Sequence, residues 1–384
     1  MSTQNVTITP EVLIWARQRI GISVDQVADA IGTDANTVAG WEGSVGNPTF
    51  RQAQRLAHVL KIPFGYLFLS NAPSDPVPLP DLRTVWGAAP QATADLIDVL
   101  NDVLRKQHWY SEFLRESGEP PRPYVGTFSV DDQVSSVADD IRGHLGIDDD
   151  LRRTCATWTE FLTTFVRLAE DVGILVMRSG TVAGNTRRPL HVGEFRGFAV
   201  SDEYAPTVFI NSKDAKVAQI FTLAHEVAHI WIGESGVSNP DFKKSSAQQM
   251  NQIERFCNRV AAEVLVPASG FLRNWDRSLT TRANMLRLAA FYRVSRFVVL
   301  RQALELDMIS AREYGRLLAD EYERYTAKQE SSGGNYYNSL FARNSYRLTA
   351  SLTTALADGR VMYHEAARLL GVRMPILERL AANL

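Results

Sequence analysis

The run His225-Glu226-Val227-Ala228-His229 constrains this chain more than any other five residues. It lies in a helical pattern over about residues 215–231 that stops at Gly233. A strand-like stretch, residues 207–210, precedes it, followed by the turn Asn211-Ser212-Lys213-Asp214 with capping side chains. Side chains four apart share one face of a helix, so both imidazoles can reach one ion. Glu226 falls beside them, where it can accept a proton from a water molecule. The surroundings, Phe221, Leu223, Ala228 and Ile232, are apolar, and unpaired imidazoles would be costly there. Such a helix needs a third ligand from elsewhere, and Zn²⁺ is the ion this donor chemistry leads one to expect.

No histidine follows at the spacing a metzincin would use. The next helical pattern, residues 253–265, carries Glu254 and Glu263, which sit nine residues apart and so on opposite faces. Glu254 shares its face with Asn258, Ala261 and Leu265, a seam of small residues that lets another helix approach closely. Glu254 is therefore the expected third ligand, with Asn258 one turn on to steady it from behind. Glu263 is expected to make a surface or supporting contact, and Glu234 is a weaker rival for the ion. Cys257 reads as a small buried hydrophobe rather than a ligand.

HEVAH followed by IERFCNRVAAEVLVP resembles the ImmA/IrrE metallopeptidases, as do the upstream stretches 194–200 and 205–211. The resemblance covers roughly residues 170–270. It implies a zincin-like α+β domain, the glutamate before the Cys-Asn pair as third zinc ligand, and proteolysis of helix-turn-helix repressors. The matching roles are His225, His229 and Glu254 on Zn²⁺ and Glu226 as general base. Residues 195–201 are expected to form an edge strand with which an extended substrate pairs. Arg196 and Tyr204 are the candidates to stabilise a developing oxyanion. His191 falls in a Gly-, Arg- and Thr-rich stretch, residues 178–194, and reads as a loop residue rather than a ligand.

The first seventy residues follow a different plan. Leu13, Ala16 and Ile20 mark one amphipathic helix. Ser23-Val24-Asp25-Gln26 reads as a capping box opening a second, with Val27, Ala28 and Ile31 inward and Gly32 ending it. Thr33 or Asp34 caps a third, residues 35–42, with Val38 and Trp41 inward. Two short helices follow, one through Leu56, Ala57 and Leu60, the other through Tyr66, Leu67 and Phe68. The run GISVDQVADAIGTDANTVAGWEG resembles the XRE (Cro and phage-repressor) helix-turn-helix family, which implies a five-helix lambda-repressor-like head. Of the positions facing base edges, Asn36 and Thr37 are the candidates for DNA contact. Five basic residues balance five acidic ones over residues 1–70, whereas DNA readers usually show a basic face. The head thus admits DNA, a related repressor or a toxin as partner, and a homodimer among its assemblies.

The whole reads as an α+β, predominantly helical chain. Its expected parts are a helix-turn-helix head, residues 1–70, and a Pro-rich linker, 71–90. A helical connecting region, 91–172, leads to a zincin-like domain with a small sheet, 173–270, and a helical partner-binding region, 271–384. Within the last, residues 282–306 form helix, Arg293-Val294-Ser295 turn and helix, and residues 353–383 repeat that shape around Gly371; such packing is common in helical tails, which favours a partner-binding role over a second DNA reader. The net charge of −2 argues against a general nucleic-acid coat. Two cysteines and the absence of a signal-like start or a long apolar run point to the cytoplasm, away from membranes. The sequence suggests a zinc-dependent endopeptidase acting on a regulatory protein. Its rival is a DNA-binding regulator or antitoxin that holds a cognate toxin and whose metal site is structural or idle. Glu226 favours catalysis, because a structural site does not require a general base.

Overall fold

The computed structural model describes residues 4–73, 93–238, 252–326 and 336–383. Most of the expected linker, and the Gly/Ser-rich stretch 329–335, lie outside the described residues. The described chain divides into two compact units, residues 4–73 with 93–100, and the residues from 101 onward.

Residues 4–73 of the first unit hold the α-helices α1 (Pro10–Arg19), α2 (Val24–Ile31), α3 (Ala35–Glu42) and α4 (Phe50–Val59). The fifth expected helix is only a 3₁₀ turn, Phe64–Phe68, because the segment is five residues long, follows Pro63 and contains Gly65. Ser23 and Gln26 form the expected capping box, and Asp34 rather than Thr33 caps α3. A second capping box, Thr49 with Gln52, opens α4. Leu13, Val27, Ile31, Val38, Trp41 and Leu56 meet in one core. Burying each large apolar side chain contributes about 1.5–3 kcal/mol. Arg17 ties α1 to α3 through both carboxylate oxygens of Glu42, at 2.6 and 2.9 Å.

The second unit is built on a four-stranded sheet of β1 (Leu175–Ser179), β2 (Gly197–Val200), β3 (Thr207–Asn211) and β4 (Gly236–Ser238), in the order β1-β3-β2-β4. β1 runs parallel to β3, while β2 is antiparallel to both β3 and β4. Residues 195–201 are therefore not an edge, contrary to expectation. Gly236–Ser238, straight after the motif helix, folds back on Gly197–Ala199 and takes the edge. β2 and β3 are buried at every position, so no apolar–polar alternation marked the difference.

Helices Val134–Leu145, Trp158–Asp171, Lys216–Trp231 and Gln252–Leu265 share one core with this sheet. Arg152 is buried and donates to the carbonyls of Val264 (2.9 Å), Leu265 and Tyr292 (3.3 Å). It thereby satisfies the open C-terminal end of Gln252–Leu265. Burial lowers its pKa to about 10, which leaves it charged at neutral pH. The Trp231 indole donates to Asp140 at 2.7 Å and stacks on Tyr124, anchoring the end of Lys216–Trp231. Farther on, Glu170 accepts from the Ser345 hydroxyl and the Tyr346 amide, fastening the C-terminal helices to Trp158–Asp171. No described helix is long and apolar enough to cross a membrane.

Candidate metal centre

The helix Lys216–Trp231 carries the HExxH run deep in the second unit, with every residue from Gln219 to Trp231 buried. Its N-cap is Ala215, which has no side chain to cap with, rather than one of the expected residues 211–214. The preceding turn is held from inside instead. Gln219 Nε2 donates to the carbonyls of Ser212 (3.2 Å) and Asp214 (2.7 Å). Asp214 accepts from the Ala215 amide at 2.9 Å and from Arg196 at 2.8 Å.

One turn of helix brings the Nε2 atoms of His225 and His229 to 3.1 Å from each other. Glu254, near the start of Gln252–Leu265, meets them with its two oxygens, Oε2 at 3.3 Å from His225 and Oε1 at 3.2 Å from His229. Their ligand atoms all lie within 4.8 Å of one another. The side chains of His225 and His229 are 0% and 2% exposed, and that of Glu254 is 12% exposed. On the Glu254 side of Gln252–Leu265, the small side chains Cys257 and Ala261 are buried in the core that this helix shares with Lys216–Trp231.

Electrostatics explain what this cluster suits. Burial disfavours ionisation of Glu254, yet the adjacent imidazoles outweigh it and hold the carboxyl well below its ordinary range. At His225 desolvation prevails and lowers the pKa, opposed by Glu254 and by Asn258, which stands close enough to act on the ring. At His229 desolvation is overcome by Cys257 and Glu254, and the pKa lies well above the ordinary value. Burial pushes the Cys257 thiol up, against the pull of His229. Two imidazole nitrogens and an ionised carboxylate converging from two helices fit a divalent cation in donor type, number and charge.

Glu226 is fully buried on the same helix. A Cβ built on Gly197 of β2 would stand 2.9 Å from Glu226 Oε1 and 2.6 Å from Thr222 Cγ2. The strand therefore presses directly on the general-base candidate, a close approach that only glycine permits, and sequence reasoning did not single Gly197 out. The signal was a lone glycine inside a strand pattern.

The other candidates lie apart from this cluster. Arg196 is engaged by Asp214, and the ring of Tyr204 lies 4.6 Å beneath the Arg115 guanidinium. Glu263 accepts from the Ala268 amide (2.9 Å) and Gln302 (2.8 Å), the supporting contact anticipated for it. Glu234 is not among the clustered donors, and His191 is exposed on a loop. In the head, Asn36 is exposed at the start of α3, while the Thr37 hydroxyl donates to Asp34.

Residues 169–304 match the peptidase family M78, described as the IrrE N-terminal-like domain. Residues 13–67 match the helix-turn-helix family HTH_3. No curated protein and no solved structure matches the chain.

Proposed function

We propose that this chain, which joins a helix-turn-helix domain to an IrrE-like peptidase domain, is a zinc-dependent endopeptidase of transcriptional regulation. Its substrate in this reading is a helix-turn-helix repressor or a related regulatory protein. The observation that carries the reading is the convergence of His225, His229 and Glu254 beside Glu226.

His225, His229 and Glu254 would hold Zn²⁺, which when bound polarises a peptide carbonyl and makes a water molecule more acidic. Glu226 takes a proton from the attacking water as its oxygen bonds to the peptide carbon. It then gives that proton to the departing amine as the C–N bond breaks. Asn258 steadies the His225 ring. Gly197 leaves room for the Glu226 carboxylate and fixes its height under the sheet. β4, the edge strand beside β2, supplies the main chain along which an extended peptide aligns. Arg196 serves the fold through Asp214, so this reading gives it no oxyanion role. Both cysteines are free and buried, in keeping with a reducing cytoplasm.

The helix-turn-helix head favours a second reading, in which the chain is a DNA-binding regulator or antitoxin of a toxin and the metal site is structural or idle. Metal analysis of the wild type and Glu226→Gln, with a cleavage assay on co-expressed repressors, separates the two. One zinc per chain in both proteins, with cleavage in the wild type only, is the expected result. Zinc without cleavage by either protein would favour the regulator, and no metal in the wild type would refute both the ligand set and the mechanism.

A further inference from the structure

The C-terminal helices Tyr363–Leu370 and Met374–Asn383 repeat α2 and α3 of the head in register. Each first helix has eight residues and ends at a left-handed glycine, Gly32 at φ 75° and ψ 49°, Gly371 at φ 62° and ψ 41°. Each second helix begins three residues after that glycine, at Ala35 and at Met374. Five buried positions correspond as well, although Leu369 is buried where the head has exposed Ala30. Val27, Ala28 and Ile31 answer to Ala366, Ala367 and Leu370, and Val38 and Trp41 to Leu377 and Leu380. This is the spacing by which a first helix supports a second for insertion in a groove.

The two copies differ in charge. Where the head carries Asp25, Asp29 and Asp34, the same positions of the tail carry His364, Arg368 and Arg373. Residues 23–42 hold four acids and no lysine or arginine; residues 362–384 hold three arginines against Glu365 and Glu378. His364, Arg368 and Arg373 are exposed and border a shallow depression of about 890 Å³, floored by Ala367, Val372 and Ile376. Neither Arg368 nor Arg373 has an ion-pair partner among the described residues. The other helix-turn-helix shape, Thr281–Tyr292 with Arg296–Glu305, lacks such a face. Its second helix buries Val298, Val299 and Leu300, and Arg296 and Arg301 are taken by Glu321 and Glu305.

We infer that the tail pair is a second nucleic-acid-contacting module, with Arg368 and Arg373 on the phosphates of duplex DNA. The helix-turn-helix geometry supplies the fit to a groove, and the charge inversion supplies the polyanion contact that the neutral head lacks. The proposal does not depend on peptidase activity.

The test measures binding of the full chain to a labelled 30-base-pair duplex of mixed sequence across a salt series (about 50 to 200 mM KCl, the range over which phosphate contacts tell). Wild type is compared with Arg368→Gln/Arg373→Gln, Arg373→Gln and, in the head, Asn36→Ala. The double variant should lose about two units of the log–log salt slope and weaken binding on the order of tenfold, and the single variant should lose about one unit. Melting temperature and metal content should not move, since both side chains are exposed. A double variant that melts like wild type and keeps its slope and affinity would overturn the proposal and assign this face to an acidic protein partner. Absence of wild-type binding at the lowest salt would overturn it equally.

Discussion

Replacing Gly197 by alanine is the smallest change that tests how the general-base candidate is held. The added methyl would meet Thr222 Cγ2 at 2.6 Å, Glu226 Oε1 at 2.9 Å and the Phe209 carbonyl oxygen at 2.9 Å. The Phe209 oxygen belongs to β3, the paired neighbour of β2, and cannot yield without distorting the sheet. The displacement therefore falls on Thr222 and Glu226, across the interface of β2 with the motif helix. Overpacking of this kind costs about 1–3 kcal/mol. For a domain of this size that lowers the melting temperature by roughly 2–12 °C. A shift of about 1 Å in a catalytic group costs about 10²-fold in rate. Zinc stoichiometry should stay unchanged, because the methyl touches none of the three ligands. Gly143→Ala, on an exposed helix face with nothing within 4 Å, is the control and should be neutral or stabilising by up to about 1 kcal/mol. Thermal melts, metal analysis and turnover on one repressor substrate report all three quantities. If Gly197→Ala melts and turns over like wild type, the close packing of β2 on Glu226 does not position that carboxylate.

Two further outcomes bear on the ligand set. Glu254→Ala should abolish zinc binding, whereas Glu263→Ala should keep one zinc and lose only about 1–3 kcal/mol of stability, from the unsatisfied Ala268 amide and Gln302; zinc retained by the first variant and lost by the second would refute the assignment. Because protons compete with the metal for His225, His229 and Glu254, zinc affinity measured by chelator competition should weaken as pH falls, and an affinity unchanged between pH 8 and pH 5 would contradict this ligand set.

What the sequence disclosed follows the range of each interaction. The two histidines, their glutamate and the caps at Ser23 and Asp34 are set by spacings within one or two turns of a single helix, and a residue count suffices to see them. Glu254 was legible because a nine-residue separation puts Glu263 on the opposite face, a question internal to one helix. Contacts across the fold were hidden. β4 is three residues long and holds its place through main-chain bonds to β2, so it has no side-chain pattern to read. Arg196 is held by Asp214, eighteen residues on and across a turn, a contact that no spacing within one element discloses. Arg152, in a short helix that periodicity did not reveal, is understood only through three carbonyls more than a hundred residues away.

The same distinction bears on the tail. Its likeness to the head is local, written in an eight-residue helix, a glycine and a three-residue step, yet the shape around Gly371 reads from sequence as a repeat of residues 282–306 rather than of the head. What separates a helix pair that supports a core from one that meets a partner is which arginines the rest of the fold consumes. Arg296 and Arg301 are consumed by Glu321 and Glu305; Arg343 is held by the Leu370 and Gly371 carbonyls, and Arg360 reaches Ser117. Arg368 and Arg373 have no such claim on them among the described residues. A regional charge of three over residues 340–384 therefore does not by itself say where the available charge lies. Much of the tail's positive charge is structural, and the part left facing solvent is concentrated where a second helix-turn-helix would meet phosphate.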